Sequence, residues 1–95
     1  MAKPPASAAY APPPYELTDI GAIKALSTGT ANEGQQQRAL RWIIEVVCGT
    51  YDLSYRPTSD RETVFAEGRR FVGLNIVKAL NLDTTKLRKD HGGTS

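Results

Sequence analysis

Apolar residues recur at helical spacing in two long segments of this chain. In the first, from about residue 32 to residue 48, they follow one another at intervals of three and four residues, which places them on one helix face. The residues of that face are Leu40, Ile43, Ile44 and Val47. Gly49 comes next, where a left-handed C-terminal cap is most often found. The pattern therefore predicts a helix over 32–48.

The second segment, from about residue 59 to residue 81, has the clearest helix start in the sequence. Ser59 and Glu62 form a capping box, in which the serine hydroxyl accepts from the third amide of the helix and the glutamate reaches back to the serine amide. Asn81 is placed to cap the C-terminus. The apolar face comprises Val64, Phe65, Gly68, Phe71, Val72, Ile76, Ala79 and Leu80. We expect a core in which Phe65, Phe71, Val72 and Ile76 pack against Leu40, Ile43, Ile44 and Val47.

Weaker patterns surround these helices. Residues 17–26 predict a short helix that starts near Thr18, and residues 83–87 predict a last short turn. The connection 50–58 contains Pro57, which stops a helix. Large apolar residues occupy alternate positions of this connection, namely Tyr51, Leu53 and Tyr55. They would either fold over the helix ends as an apolar staple or pair as an extended strand, and we favour the staple.

The predicted fold is all-α. It is a helical hairpin with two main antiparallel helices, about 32–48 and 59–81, and a short N-terminal helix. An extended arm rich in Pro and Ala covers 1–16, the helical domain covers 17–89, and a flexible tail covers 90–95. A hairpin of about 50 residues is marginally stable without disulfides, metals or oligomerisation. We therefore expect other chains to complete its core.

Charge and cysteine content narrow the classes of function. The net charge is only +2 and both signs are interspersed, which predicts weak or no binding of nucleic acid. The single cysteine, Cys48, excludes an internal disulfide and indicates a reducing compartment. Neither a secretion signal after Met1 nor a membrane span is predicted, because no apolar run is long enough. We expect a soluble protein with no membrane contact, no metal and no cofactor.

Residues suited to catalysis are sparse. His91, the only histidine, lies in the polar tail beside two glycines, where no neighbouring side chain would hold its ring in place. Cys48 ends an apolar helix and is interpreted as a small core residue. The sequence has no phosphate-binding glycine loop and no nucleophile elbow. We predict that the chain is not an enzyme and has no catalytic residues.

Two glycines and two arginines in the second helix call for an explanation. Each glycine costs about 1 kcal/mol relative to alanine unless packing requires it. We interpret Gly68 as the place where the first helix approaches and Gly73 as the contact for a second chain; simple tolerance of glycine is the alternative. Arg69 is expected to form an ion pair with Glu45 on the facing helix, with phosphate contact as the alternative.

Part of the chain resembles a known family. The resemblance is carried by Cys48, Gly49, Tyr51, Ser54, Asp60, Thr63 and Phe65, and above all by the run Glu67-Gly68-Arg69-Arg70 followed by Val72-Gly73-Leu74. In these residues the segment 40–82 resembles a small family of tailed-phage proteins typified by a gene product of a Bordetella podovirus. Phe71 departs from the pattern, which has a polar residue there, and the arm has no counterpart. The resemblance implies a component encoded among head and portal genes, without a catalytic residue.

The resemblance implies a structural or accessory virion protein that binds the portal, the head–tail connector or the inner capsid. We expect multiple copies, for example a homo-oligomeric ring, located in the virion and, during assembly, in the host cytoplasm. The residues expected at protein interfaces are Tyr10, Pro13, Tyr15, Trp42, Tyr51, Tyr55 and Gly73.

Two alternatives stay open at this point. A nucleic-acid-binding accessory protein, or an internal protein ejected with DNA, would gather its cationic side chains on one surface. Those side chains are Arg38, Arg41, Arg69, Arg70, Lys86, Arg88 and Lys89. A regulator of a host enzyme would instead be monomeric and bind one partner through an exposed apolar face.

Overall fold

The computed structural model describes residues 9–90 of the chain, with side chains as far as Leu87. These residues contain four α-helices: α1 (Leu17–Ser27), α2 (Glu33–Trp42), α3 (Asp60–Leu80) and α4 (Thr84–Asp90). A π-helical segment, Ile43–Val47, continues α2 directly. No strand occurs between residues 9 and 90, so the all-α class is confirmed. Expectations for residues 1–8, for most of the tail and for His91 fall outside the described residues.

The helices begin where short polar side chains accept from free backbone amides. Asn32 and Gln35 form a reciprocal capping box on α2, with Asn32 Oδ1 accepting from the Gln35 amide at 2.8 Å. At α3, Ser59 Oγ accepts from the Glu62 amide at 3.2 Å. The other half of the box predicted there is wrong. The Glu62 carboxylate accepts at 2.9 Å from the amide of Ala9, a buried residue of the arm whose N–H needs a partner.

The π-helical segment sets the path of the chain after α2. The Cys48 amide donates to the Ile43 carbonyl at 2.9 Å, five residues back, and Gly49 then takes the predicted left-handed conformation with φ of 57°. The turn brings Thr50 back under the helix end, where its hydroxyl donates to the Ile44 carbonyl at 2.6 Å. Thr50 is thereby fully buried with its hydroxyl satisfied.

α3 contacts the rest of the chain through small residues. Ala66 and Gly73, seven residues apart on one face, are both buried. A Cβ atom added to Gly73 would collide with Thr50 Oγ1 and lie 2.9 Å from Cys48 Cβ. A Cβ added to Gly68 would have no other atom within 4 Å. Both predicted roles are therefore wrong, because Gly73 packs against Thr50 and Cys48 of this chain and the first helix does not approach Gly68.

The predicted core is only partly formed. Ile44 is buried, while Ile43, Val47 and Ile76 are half-buried. The remaining members, Leu40, Phe65, Phe71 and Val72, are exposed, so their assignment to the core of a single chain is wrong. The reason is the rotation of α3: its small-residue face turns inward, which leaves the large apolar side chains on the opposite side. The buried apolar residues are instead Ala9, Ala22, Ala39, Ile44, Cys48 and Ala66.

The connection between the π-helical segment and α3 is held by polar contacts. The Arg56 amide donates to Thr63 Oγ1 at 2.8 Å, and Ser54 Oγ hydrogen-bonds the Glu67 carboxylate. The three large apolar residues of this connection, Tyr51, Leu53 and Tyr55, are all exposed. The predicted apolar staple is therefore wrong.

Candidate protein-binding surface

The side of α3 that points away from the rest of the chain carries four large apolar side chains, which we call the outer face. Their exposed fractions are 71% for Val64, 47% for Phe65, 68% for Phe71 and 53% for Val72. Gly68 lies at the centre of these four positions and leaves a notch between them. Scattered apolar side chains are ordinary on a protein surface, whereas contiguous apolar clusters are often found at interaction sites.

The outer face lies among charged and polar side chains. Asp60 and Arg61 join Val64 and Phe65 around a shallow, almost entirely apolar depression at the N-terminal end of the face. Asn75 and Lys78 are exposed at the other end. An apolar centre with a polar rim is the usual composition of a protein–protein interface.

A second apolar surface is the groove between α2 and the C-terminal half of α3. Its walls are formed by Gln37, Leu40, Arg41, Ile44, Glu45, Tyr51, Val77 and Leu80. The groove is open to solvent because α3 contacts the π-helical segment and the turn after it, while its C-terminal half does not close on α2. Leu40 and Leu80 remain exposed for the same reason.

The described part of the arm, residues 9–16, is attached at both ends to the helices. Its first amide, on Ala9, donates to Glu62 of α3, and the Pro14 carbonyl accepts from the indole N–H of Trp42 on α2 at 3.0 Å. Trp42 is therefore half-buried by its own chain. The arm residues predicted at interfaces differ in exposure: Tyr10 and Tyr15 are exposed, and Pro13 is half-buried.

Arg69 does not pair with Glu45 in this structure. Its guanidinium Nη1 donates to the Val47 carbonyl at 3.4 Å and its Cζ lies 5.8 Å from the centre of the Phe65 ring. A cation at the C-terminal end of a helix is favoured by the free carbonyl groups there. The predicted ion pair is wrong because the π-helical segment presents carbonyl groups to Arg69, whereas Glu45 is exposed.

Charged side chains join α1 to α2. Arg38 Nε lies 2.8 Å from Asp19 Oδ1, and Arg38 Nη2 lies 3.1 Å from Glu16 Oε2. The hydrogen bond from the Glu16 amide holds the pKa of Asp19 below its ordinary value, and Arg38 and Arg41 lower it further against the opposing effect of desolvation. The charges of Arg38, Glu16 and Asp19 are paired with one another within the chain. We interpret this cluster as a contact between helices.

Not all of the cationic side chains considered for nucleic acid are free to bind it. Of the cationic residues considered for nucleic acid, Arg38 and Arg69 are engaged inside the chain. In the described residues, no group of three or more His, Cys, Asp or Glu side chains is arranged to hold a metal. The Cys48 thiol is free and buried. No helix among the described residues has the length and apolar character needed to cross a membrane.

Comparison with family models, curated proteins and solved structures found no match. The exposed surfaces of residues 9–87 are the features of this structure that bear on function. Sequence reasoning placed Phe65, Phe71 and Val72 in the core and did not recognise the outer face. The signal that would have revealed it is the pair Ala66 and Gly73, whose small side chains mark the face that turns inward.

Proposed function

We propose that this chain is a small structural or accessory virion protein of a tailed bacteriophage. It binds portal, head–tail connector or inner capsid proteins in multiple copies, and it works by contact and not by catalysis. The phage assignment comes from the resemblance of segment 40–82, in particular the run Glu67-Gly68-Arg69-Arg70. The mode of action comes from the surfaces described above.

The observation that carries the proposal is the exposure of the outer face. Two phenylalanines and two valines on one side of a helix, about half or more exposed, leave apolar area in water that association would remove. Four of the six buried apolar residues in the described part of the chain are alanines, so this part hides little apolar area. We infer that contacts with other chains bury the side chains of the outer face.

The finer architecture belongs to the same proposal. We take α2 and α3 to form an antiparallel hairpin that is open along the groove, with α3 held at Gly73 by the turn that follows the π-helical segment. The arm then spans the two helices through Ala9 and Pro14, and presents Tyr10 and Tyr15 outward. Such a unit offers three apolar surfaces: the outer face, the groove and the arm.

The proposal is tested by quantitative mass spectrometry of purified particles of the phage whose genome encodes this chain. We expect the protein to be present in several copies per particle. Particles made with the variant Phe71→Lys should contain less of it, because the introduced lysine puts a charge in the outer face. Leu53→Lys is the matched control, since Leu53 is also a large, exposed apolar residue but lies in the connection.

Absence of the chain from purified particles would refute the virion assignment. Recovery of one soluble host enzyme as its stoichiometric partner, together with that absence, would support the regulator alternative.

A further inference from the structure

The sequence around Gly68 is nearly symmetric. From residue 64 to residue 72 it reads Val-Phe-Ala-Glu-Gly-Arg-Arg-Phe-Val, so that the apolar pairs Val64-Phe65 and Phe71-Val72 lie at equal distances on either side of the glycine. All four of these side chains are exposed on α3. A two-fold interface uses the same surface on both copies, and if its axis passes level with Gly68 this pattern puts apolar side chains of the two copies at the same levels.

We propose that the outer face binds a second copy of this chain, with the two α3 helices antiparallel and a two-fold axis passing beside Gly68. This inference rests on the proposed function, in which the chain acts by contact with other chains. It names a second copy as the partner that covers the outer face. In this arrangement Val64 lies level with Val72 of the second copy, and Phe65 lies level with Phe71 of the second copy. Side chains at equal distances from the axis form common layers, as in antiparallel coiled coils.

The notch at Gly68 permits the close approach that this pairing needs. The glycine lies at the centre of the outer face, and the space where a Cβ would stand is empty. Gly68 of each copy therefore faces that of the other, and the large side chains on either side interdigitate around the axis. A glycine in the middle of a helix lowers stability by about 1 kcal/mol relative to alanine. Close contact between two helices, which glycine permits, accounts for its presence here.

Charges at the two ends of the face complement each other in the antiparallel orientation. With about 100° per residue, Asp60 and Lys78 lie at nearly the same angle around the helix, on one side of the interface. The two-fold axis brings Asp60 of one copy to within about 3 Å, measured along the helix, of Lys78 of the second copy. Two opposite-charge pairs result, whereas a parallel arrangement would place like charges level with each other.

The area is suited to a small dimer. Covering the exposed parts of these four side chains on two copies removes on the order of 900 Å² from water, which is in the range of weak, reversible interfaces, below about 1,200 Å². Glu67, the acid nearest the axis, lies on the flank of the face and is hydrogen-bonded by Ser54 of its own chain. Arg69 lies at the edge of the face beside the Phe65 ring, and its guanidinium is directed towards the Val47 carbonyl.

Cysteine cross-linking distinguishes this arrangement from others. In a full-length chain carrying Cys48→Ala, the variants Val64→Cys and Val72→Cys are prepared separately, mixed under reducing conditions and then oxidised. We expect disulfide-linked dimers in the mixture and almost none from either variant alone. Two copies of Val64 are about 12 Å apart along the antiparallel helices, and a disulfide spans at most about 7 Å between Cα atoms.

Sedimentation equilibrium of the full chain gives the second test. We expect a reversible dimer whose dissociation constant rises about thirtyfold or more in Phe71→Lys, since each dimer loses two central aromatic contacts. Leu53→Lys should leave the dissociation constant unchanged. Circular dichroism checks that Phe71→Lys remains folded, which we expect because Glu67, four residues earlier, pairs favourably with the introduced lysine.

The outcomes separate this inference from the proposed function. A chain that is monomeric at every concentration but present in virions overturns the dimer and leaves the virion role standing. Cross-linking of Val64→Cys with itself shows a parallel pair and also overturns the inference. Attachment of Val64→Cys to a different virion protein, with no dimer in solution, would assign the outer face to that protein. A dimer with the expected cross-links, in a chain absent from virions, would refute only the proposed function.

Discussion

Two glycines of the same helix have opposite surroundings. At Gly73 the backbone of α3 lies against Thr50 and Cys48, and there is no room for a side chain. At Gly68 the surrounding space is empty. The conformational cost of glycine in a helix is the same at both positions, so the difference between them lies in packing alone.

This difference predicts opposite effects of the same substitution. Gly73→Ala should lower the free energy of unfolding by about 1–3 kcal/mol, because α3 must move away from Thr50. Gly68→Ala should raise it by up to about 1 kcal/mol, because alanine favours the helix and meets nothing. Urea denaturation followed by circular dichroism measures both, in the Phe71→Lys background so that association does not contribute. Equal effects at the two positions would contradict the packing described at Gly73.

At the scale of the elements, different contacts join different helices. α1 and α2 each bury an alanine, Ala22 and Ala39, and share the cluster in which Arg38 contacts Glu16 and Asp19. α3 contacts the π-helical segment and buries Ala66 and Gly73, and Gly73 lies against Cys48 and Thr50 just after that segment. The first contact therefore depends on charge, whereas the second depends mainly on shape.

The charged contact predicts a dependence on pH. The pKa of Asp19 is lower in the folded chain than its unfolded value of about 3.9, so its ionised form stabilises the fold fully above that pH. This contribution is lost as the pH falls through the lower, folded-state pKa. The difference in unfolding free energy between the native chain and Asp19→Asn should therefore shrink below about pH 4. The same substitution at the exposed Asp52 controls for the loss of one negative charge; an identical pH dependence there would contradict a special role for Asp19.

The arm makes a separate prediction. Deleting residues 1–14 removes the Pro14 carbonyl that accepts from Trp42, so the indole should become more exposed. Tryptophan emission should then shift to longer wavelength and be quenched more readily by iodide. Deleting only residues 1–8 keeps Ala9 and Pro14 and is the matched control. An unchanged spectrum after the longer deletion would show that the arm does not cover Trp42.

At the scale of the whole molecule, burial within one chain is limited. The buried apolar residues between 9 and 90 are alanines, one isoleucine and one cysteine, while the larger apolar side chains of the outer face remain in water. Stability of such a chain should depend on what covers those side chains.

This expectation can be measured through the dependence of the thermal midpoint on protein concentration. The thermal midpoint of the native chain should rise with protein concentration, because association favours the folded state. The midpoint of Phe71→Lys should be independent of concentration, and that of Leu53→Lys should behave like the native chain. A native midpoint that does not change over a hundredfold range of concentration would contradict association through the outer face.

The sequence predicted the helices well and the packing poorly. Helical spacing, the Ser59 cap and the Gly49 turn placed α2 and α3 to within a few residues. The orientation of α3 was missed because apolar periodicity shows which side chains avoid water, but not whether their own chain or another covers them. The π-helical segment and the long-range contact of Glu62 with Ala9 have no local pattern, since both depend on tertiary structure.

The same limit explains why the outer face was not predicted. Phe71 and Val72 were assigned to the interior of one chain, but both side chains are exposed. The expected contact of Arg69 with Glu45 failed for a related reason. Ion pairs can be proposed from spacing, whereas a carbonyl group freed by a π-helical turn is known only once the turn is seen.

Cys48 lies at the junction between the π-helical segment and α3, and it is the only thiol in the sequence. A thiol-reactive dye can reach it only when that junction opens, so the rate of labelling in native conditions follows local opening without an added probe. If labelling slows as protein concentration increases, opening is linked to separation of two copies. If the rate is constant, the junction opens within each chain independently. The labelling rate of Cys48 thus reports whether opening of this junction is coupled to association of two copies.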